Sequence, residues 1–323
     1  MRQGGVFFMD IKTYEAEYEK VVKALGWAVD KRIAIAVNSF YLIQNHPFQE
    51  NEHEQTSKII KKTEGWASPL KSHMHHIVSA FLTVRNDDVE TELKKLNVNQ
   101  QELNDAGFRK SPYTYLTALL MEESGEAVRA KTLYDQMKEH HKFLTSNEDV
   151  PYAVLLGRQA GDPVERASTM NAYYKDLREQ GFYMGNDLQW LSQIMTFSNA
   201  VYDPKVVGRV LAIHEFFKEQ KIKIRTPQYP ILGLLAVAEA DGQVLQEIAD
   251  KTKVFEKSKT FKWYKDNAFS TVVQFELKDF IETRDVSAVT FATSLEMLMQ
   301  AQQAAMMASI NAAVISSTSS SSS

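Results

Sequence analysis

Closely spaced histidines are the residues of this sequence whose side chains could most readily do chemistry. The segment His73-Met-His75-His76 carries three imidazoles, and on a helix His73 and His76 lie three residues apart on one face. Two imidazole nitrogens at that spacing can share a divalent metal ion, and a third or fourth ligand would complete a zinc site. The alternative is an exposed or partly packed helix face, because the sequence assigns no further ligand. His73 and His76 are the candidate metal ligands.

Two acidic segments have spacings that also occur at metal sites. Glu50-Asn-Glu-His53 has the Glu-x-x-His spacing of di-iron helical bundles, but those sites need the motif twice and two further glutamates. The motif occurs once, in a segment that we expect to be a loop. Asp87-Asp88-Val-Glu90 fits the acidic first turn of a helix better than a metal-diphosphate site. The sequence predicts no cofactor.

Cysteine, glycine and charge content exclude several classes of site. The chain has no cysteine, so disulfides, thiol nucleophiles and thiolate metal ligands are absent. Its 13 glycines form no phosphate-binding loop, nucleophile elbow or dinucleotide fingerprint. With 37 basic and 41 acidic residues, the formal net charge is −4, which gives no general attraction to nucleic acid or to an anionic membrane.

A recurring row of basic and aromatic residues is the strongest candidate binding surface. Three cations are separated by 40 residues, each is followed by a glutamate, and each lies one helical turn after an aromatic side chain. The six residues of this basic ladder are Tyr134, Lys138, Tyr174, Arg178, His214 and Lys218. If successive units stack in parallel, the ladder can bind an extended peptide, an acidic segment or a single-stranded nucleic acid. The alternative is that each cation only complements the macrodipole of its own helix.

Three ten-residue windows place the basic ladder within a repeated pattern. Residues 137–146, 177–186 and 217–226 superimpose without a gap at offsets of 40 residues. Each window runs from an apolar residue through a basic residue and a glutamate to an apolar cluster, and then to Ser, Asn or Thr. Those side chains cap helix N-termini best, so each window predicts the end of one helix and the start of another. The predicted caps are Ser146, Asn186 and Thr226, preceded along the chain by Ser68 and Ser111.

Apolar residues upstream of the windows keep the same register. They are spaced by three or four residues, which places them on one stripe of a helix with roughly 3.6 residues per turn. Their positions are 127, 130, 133 and 137, then 167, 170, 173 and 177, then 207, 210, 213 and 217. A second apolar helix follows each cap, over residues 150–156, 188–197 and 231–238. A helical hairpin of this kind cannot bury its stripe alone, so the hairpins must stack.

The predicted fold is all-α, a helical-hairpin repeat array with units of about 40 residues. The array is either α-solenoid-like or a compact helical repeat domain. Four segments are predicted: residues 1–48 as N-terminal capping helices, 49–285 as the repeat domain, 286–315 as an Ala/Met-rich helix, and 316–323 as a disordered serine tail. Met9 is an alternative to Met1 as the start of the native protein.

The Ala/Met-rich segment at residues 286–315 has Glu296 as its one ionisable residue. We expect it to dock on the C-terminal end of the array, or to offer the adaptable packing of methionine to a partner. A membrane span is not expected, because glutamine, serine and asparagine side chains interrupt any run of about 20 apolar residues. The expected location is the cytoplasm.

Three short segments of the chain resemble known families. Ala130-Lys-Thr-Leu-Tyr-Asp-Gln-Met-Lys138 resembles the second helix of tetratricopeptide-like and pentatricopeptide-like repeats, and a pentatricopeptide relationship would imply single-stranded RNA binding. Tyr134-Asp-Gln-Met-Lys138 and Ser111-Pro-Tyr-Thr-Tyr115, together with helices that give way to an Ala/Met-rich segment and a serine tail, are similar to a bacterial protein family catalogued as a domain of unknown function. That resemblance covers nearly the whole chain and implies no activity.

The function predicted from these observations is that of a protein-protein interaction scaffold. Its partner is expected to be a protein that meets the basic ladder or the Ala/Met-rich helix. An all-helical metal-dependent enzyme using His73 and His76 is the first alternative. A single-stranded nucleic-acid binder using the basic ladder is the second, although the net negative charge does not favour nucleic acid.

Overall fold

The computed structural model of the chain describes residues 10–66, 68–72, 74–85, 88–197 and 199–284. Across these residues the protein has fourteen α-helices and three short 3-10 helices, with no β-strand. The fold class is therefore all-α, as predicted. The described residues belong to two compact units, residues 10–95 and residues 96–284.

Helices α1 to α4 form the first unit. Their bounds are Ile11–Leu25, Lys31–Ile43, Glu50–Thr63 and Met74–Arg85. α1 packs on α2, and α4 packs on both α2 and α3. The carboxylates of Asp10 and Asp30 accept hydrogen bonds from the first backbone N–H groups of α1 and α2, which fixes where these helices begin.

The segment Glu50–His53 is the first turn of α3, so the expectation of a loop there was wrong. His53, Thr56, Ser57 and Ile60 occupy positions i, i+3, i+4 and i+7 of one helix face, and all are buried. A helix stripe is therefore present, but three of its four members are polar. A search for apolar residues at helical spacing does not detect such a helix, because His53, Thr56 and Ser57 are polar.

The segment that follows the predicted cap Ser68 is not one continuous helix. Pro69–Lys71 forms a 3-10 turn that Ser68 caps through Leu70 N–H, and α4 begins only at Met74. The backbone N–H and the hydroxyl of Ser72 both donate to the carbonyl of Pro69. These bonds close a tight turn and end the first helical segment.

The second unit begins within α5 and contains the nine helices that follow it in the described chain. Helix α5 spans Val89–Asp105, so it includes the boundary between the two units. The bounds of α6 to α14 are Pro112–Leu120, Glu126–His140, Val150–Gly157, Pro163–Glu179, Asn186–Ile194, Pro204–Glu219, Tyr229–Val237, Gly242–Phe255 and Lys265–Arg284.

The helices of the second unit contact one another in a regular order. Helices α7, α9 and α11 are longer than α8, α10 and α12, and each packs on the helix that follows it, as α13 does on α14. By its place in the chain, α13 is grouped with the longer helices and α14 with the shorter ones. The longer helices also contact each other in sequence, from α7 to α9, α11 and α13. The helices of the second row also contact each other in sequence: α6 contacts α8, α8 contacts α10, α10 contacts α12, and α12 contacts α14. Two rows of helices thus run side by side.

The apolar stripe predicted in α7, α9 and α11 lies in the core of this unit. All twelve of its positions are buried: Ala127, Ala130, Leu133, Met137, Ala167, Met170, Tyr173, Leu177, Val207, Val210, Ile213 and Phe217. Full burial of a Leu, Ile, Val, Phe or Met side chain contributes about 1.5–3 kcal/mol. The stripe therefore supplies a large part of the driving force for packing these helices together.

A buried carboxylate connects α8 to α10. Asp149 is 1% exposed. Its Oδ1 accepts hydrogen bonds from the side-chain amides of Gln189 at 3.0 Å and Gln193 at 2.8 Å, and its Oδ2 accepts from the backbone N–H of Ser146 at 2.8 Å. Burial raises the pKa of Asp149 to about 6, because the amide donors replace water without supplying a positive charge.

Two of the five predicted helix caps were wrong. Ser68, Ser111 and Ser146 cap their helices through the side-chain hydroxyl. Asn186 instead lies inside α10, and its amide donates to the Glu148 carboxylate at 3.0 Å. The Thr226 side chain bonds the carboxyl group of Asp187, and no side chain caps the 3-10 turn that it begins. Both residues are used between helices, a role that capping preference does not predict.

Arginines bind the C-terminal ends of two shorter helices, α6 and α12. The Arg158 guanidinium donates to the carbonyl of Leu120 and to the Glu126 carboxylate. Arg209 donates to the carbonyl of Ala236 at 3.0 Å. The last carbonyls of a helix carry partial negative charge and have no partner within the helix, so a guanidinium there stabilises the helix end.

The C-terminal predictions, at residues 286–315 and 316–323, lie outside the described residues. The division of the chain at residue 48 and the boundary at residue 285 also stay predictions. Among the described residues, no helix is both long enough and apolar enough to cross a membrane.

A glycine substitution tests the close packing of α10 and α12. A Cβ at Gly233 would lie 2.8 Å from Leu191 Cδ1 and 3.0 Å from Ile194 Cγ2, and both side chains are buried. We expect Gly233→Ala to lower the free energy of unfolding by about 1–3 kcal/mol through overpacking. Chemical denaturation followed by circular dichroism measures this change.

Gly208 in α11 provides the matched control. It is exposed, and a Cβ there would meet no atom within 4 Å. Because alanine favours helix over glycine, Gly208→Ala should raise stability by about 0.5–1 kcal/mol. Effects of the same sign for the two variants would contradict the described approach of α12 to α10.

Candidate functional site

The histidine cluster differs from the one predicted. His73 lies outside the described residues, and His76 packs beside His53 of α3, with parallel rings whose centroids are 5.7 Å apart. The His75 ring centroid is 3.9 Å from that of His76, and the His75 Nδ1 is 2.5 Å from the Ser72 carbonyl oxygen. His53 was not identified as part of this cluster, because its segment was expected to be a loop.

The histidine nitrogens bond within the protein. His53 Nε2 lies 3.4 Å from His76 Nδ1, and His53 Nδ1 lies 3.1 Å from the Tyr41 hydroxyl. Within the described parts of the chain, no group of three or more His, Cys, Asp or Glu side chains is placed to hold a metal ion. Burial, with a smaller contribution from His75, lowers the pKa of His53 to about 4. His53 is thus buried and neutral at pH 7.

The aromatic members of the basic ladder pack inside the protein. Tyr134 and Tyr174 are buried, and His214 is half-buried. Their ring centroids lie 5.3 Å from Phe108, 4.6 Å from His141 and 5.2 Å from Phe182, respectively. Each of these partners belongs to the turn after the preceding longer helix. These rings therefore join neighbouring helix pairs and do not offer stacking faces to a ligand.

The cations of the basic ladder are at the surface. Lys138, Arg178 and Lys218 are all exposed in the last turns of α7, α9 and α11. The Lys138 Nζ lies 5.8 Å from the Tyr134 ring centroid, and Lys218 forms an ion pair with Glu215 at 2.9 Å. An exposed glutamate follows each cation, so the ladder alone has little net charge.

A second set of aromatic residues, which sequence reasoning missed, lies in the turns that follow α7, α9 and α13. Phe143 is 97% exposed, Tyr183 is 73% exposed and Trp263 is 80% exposed. The first two are 40 residues apart, and the third follows at 80 residues with Lys223 at the intermediate position. The 40-residue register therefore contained the signal for this set, although register alone does not show which side chains are exposed.

Contacts between successive helix pairs place the turns in order. His141 of the first turn packs on Tyr174 of the next pair, and Phe182 of the second turn packs on Tyr229 with centroids 4.8 Å apart. In the third turn, Arg225 forms an ion pair with Asp266 at 2.7 Å, immediately after the fourth turn. Each turn is therefore a neighbour of the following helix pair.

We call the resulting surface the turn edge. It consists of four turns and of the cations in the last turns of α7, α9 and α11. The turns are residues 141–145, 181–185, 221–225 and 256–264. Exposed aromatic side chains beside exposed cations are typical of surfaces that bind other macromolecules, since such groups are enriched at the centres of interfaces.

A pocket of about 200 Å³ lies elsewhere in the same unit, between α7, α8 and α9. Its lining includes Arg129 and Arg166. Arg166 is 2% exposed, and its guanidinium donates to the carbonyl oxygens of Thr196 and Ala160, which follow the ends of α10 and α8. The partial negative charge of these helix ends balances the guanidinium. Arg166 thus acts as a structural clamp, and the pocket lining brings no nucleophile and base together.

His53 predicts a dependence of stability on pH. Because its pKa is lowered in the folded state, the unfolded chain binds a proton first as pH falls below about 6.5. Wild type should therefore lose stability relative to His53→Gln between pH 6.5 and 4, by about 3 kcal/mol at the lower end. Denaturant unfolding at a series of pH values measures the difference.

The control for this series is His140→Gln, which changes an exposed histidine. It should keep the wild-type loss of stability between pH 6.5 and 4, because it leaves His53 in place. A His53→Gln profile parallel to wild type over the whole range would show that His53 is not held neutral by burial.

Comparisons with known proteins agree with the family resemblance. The model of the family described as "Protein of unknown function (DUF4003)" matches residues 17–304. The chain is also similar to "Uncharacterized protein YeaA" of Bacillus subtilis (strain 168), with 29% identity over 319 residues, covering 95% of this chain and 94% of the relative. No solved structure matches the chain. Because the family model covers most of the sequence, this protein belongs to the DUF4003 family.

Proposed function

We propose that the second unit is a repeat array of helical hairpins of about 40 residues and that it acts as a scaffold for protein-protein interaction. The turn edge is the proposed binding surface. The observation that carries the proposal is the exposure of Phe143, Tyr183 and Trp263 at positions of one 40-residue register, in the turns after α7, α9 and α13.

The order of helix contacts supports an array. Each hairpin contacts the next through both its longer and its shorter helix, as α9 and α10 contact α11 and α12. The ring of Tyr174 contacts His141 of the preceding hairpin, and the Asp149 network joins α8 to α10. A sequence of such contacts lets each hairpin bury a surface that it cannot bury alone.

The exposed aromatic residues support a protein partner. An exposed Phe or Trp side chain costs hydration free energy, which burial against a partner recovers, and aromatic residues supply many interface hot spots. Packed helices lie about 8–10 Å apart. Three residues of an extended chain span about 10 Å, so an extended peptide can present a side chain to each successive turn.

The alternatives gain less support from the described residues. The metal-dependent enzyme needs ligands beyond His76, and His73 falls outside the described part of the chain. The nucleic-acid binder loses the stacking faces of Tyr134 and Tyr174, which are buried. We therefore propose a protein partner, met in the cytoplasm.

Photo-crosslinking tests the proposed surface directly. A photoreactive phenylalanine analogue is placed singly at Phe143, Tyr183 or Trp263 and irradiated in cells that express the chain. Because all three side chains belong to one surface, we expect each position to capture the same protein. Mass spectrometry of the crosslinked bands, with and without nuclease treatment, identifies what is captured.

Val128 and Val164 are matched controls, since both are exposed apolar residues of the same unit near the starts of α7 and α9. They should not capture that protein. The triple variant Lys138→Glu, Arg178→Glu, Lys218→Glu should reduce the crosslink at Tyr183 while helical content stays constant. Capture at the control positions alone, or loss of the crosslink with nuclease, would overturn the proposal.

A further inference from the structure

Basic residues are concentrated at one end of the turn edge. Eight exposed cations lie in the third and fourth turns and at their borders: Lys218, Lys221, Lys223, Arg225, Lys257, Lys259, Lys262 and Lys265. The two segments that contain these cations, residues 215–225 and 256–266, have four acidic residues in total. The first two turns carry no comparable excess. A local positive patch thus exists on a chain of net charge −4.

Most cations of this patch are available to a partner. Glu215 pairs with Lys218, and Asp266 pairs with Arg225. Among the described residues, Lys221, Lys223, Lys257, Lys259 and Lys265 have no ion pair within 4 Å. Their charges repel one another in the unbound protein, so an acidic ligand would relieve that repulsion.

The two turns that carry the patch lie next to each other. Arg225 of the third turn reaches Asp266, and Gln220 just before that turn accepts a hydrogen bond from Lys253 of α13 at 2.9 Å. Beneath them, the rings of Phe217 and Phe269 pack edge to face with centroids 5.0 Å apart. The lysines of both turns are therefore placed where one ligand can reach them.

Trp263 provides an apolar contact within the patch. Its ring is exposed, and Lys262 Nζ lies 5.8 Å from the ring centroid. This arrangement holds one face of the indole beside a cation and leaves the side chain open to solvent. A ligand that carries both carboxylates and an apolar side chain would use the two kinds of group together.

We infer that the patch binds an acidic segment of the partner protein, an extended peptide rich in Asp and Glu with an aromatic or aliphatic residue that contacts Trp263. This inference rests on the proposed function, because it names the partner chemistry at the same turn edge. Carboxylates of the segment pair with the lysines of the third and fourth turns. Electrostatic attraction of this kind speeds association and selects the partner.

Two features favour an acidic peptide over single-stranded nucleic acid. The turn edge also carries exposed Glu139, Glu179 and Glu219, which would repel a backbone with a phosphate at every nucleotide. A peptide has fewer charges and donates backbone N–H groups to such glutamates. Seven of the eight cations are lysines, which pair with single carboxylates as point charges, whereas bidentate phosphate recognition favours arginine.

Fluorescence anisotropy with the full chain tests the inference. The first probe is a short labelled peptide of Glu, Asp and Phe, and the second replaces every Glu and Asp with Gln and Asn. The third is a labelled oligothymidine. We expect the acidic peptide to bind, with affinity that falls as salt increases, and the neutral peptide to bind at least about tenfold more weakly.

Charge reversal locates the site. The patch variant is Lys221→Glu, Lys223→Glu, Lys259→Glu, Lys262→Glu, and the control is Lys12→Glu, Lys61→Glu, Lys62→Glu, Lys95→Glu. The control makes the same change of net charge at exposed lysines of the first unit. The patch variant should bind the acidic peptide at least about tenfold more weakly than the control does.

Three results would overturn the inference. They are equal binding of the acidic and neutral peptides, equal effects of the patch and control variants, and tighter binding of oligothymidine through the same lysines. None of these results removes a protein crosslink at Phe143 or Tyr183. Failure of the acidic-segment inference is therefore distinguishable from failure of the scaffold proposal.

Discussion

The apolar stripes of α7, α9 and α11 impose the constraint on which the rest of the second unit depends. Each stripe is buried along its full length, and the helix that follows in the chain does not cover it alone, since each longer helix also contacts the next one. The helices must therefore assemble in sequence. Small residues such as Ala127 and Ala130 let neighbours approach, and Gly233 lets α12 approach α10.

Polar groups then fix the relative positions of neighbouring helices, which burial of the apolar stripes does not determine. Hydrophobic burial is not directional, whereas hydrogen bonds are. The Asp149 carboxylate binds two amides of α10, and arginines bind the carbonyl ends of the shorter helices. The first two turns after the longer helices each contact the helix pair that follows, through His141 and Phe182. Exposed side chains in these turns form the proposed binding surface.

The sequence predicted the six helices α7 to α12 and all twelve stripe positions, because burial of apolar residues at helical spacing follows from residue type alone. It did not predict α3, whose buried stripe is mostly polar, or the interhelical bonds of Asn186 and Thr226. It also did not predict that Tyr134 and Tyr174 face inward, since a tyrosine at the border of an apolar stripe is compatible with both the core and the surface. Phe143, Tyr183 and Trp263 were visible in the 40-residue register, but exposure depends on how the turns pack.

The most direct test of this account is the separation of the turns in solution. The chain has no cysteine, so cysteine pairs introduced at Phe143, Tyr183 and Trp263 carry the only spin labels. Pulsed electron paramagnetic resonance then measures the distances between them. An array with successive helices about 8–10 Å apart predicts that the distance from position 143 to 263 clearly exceeds that from 143 to 183. Equal distances, or a shorter one to 263, would mean that the turns do not form a row.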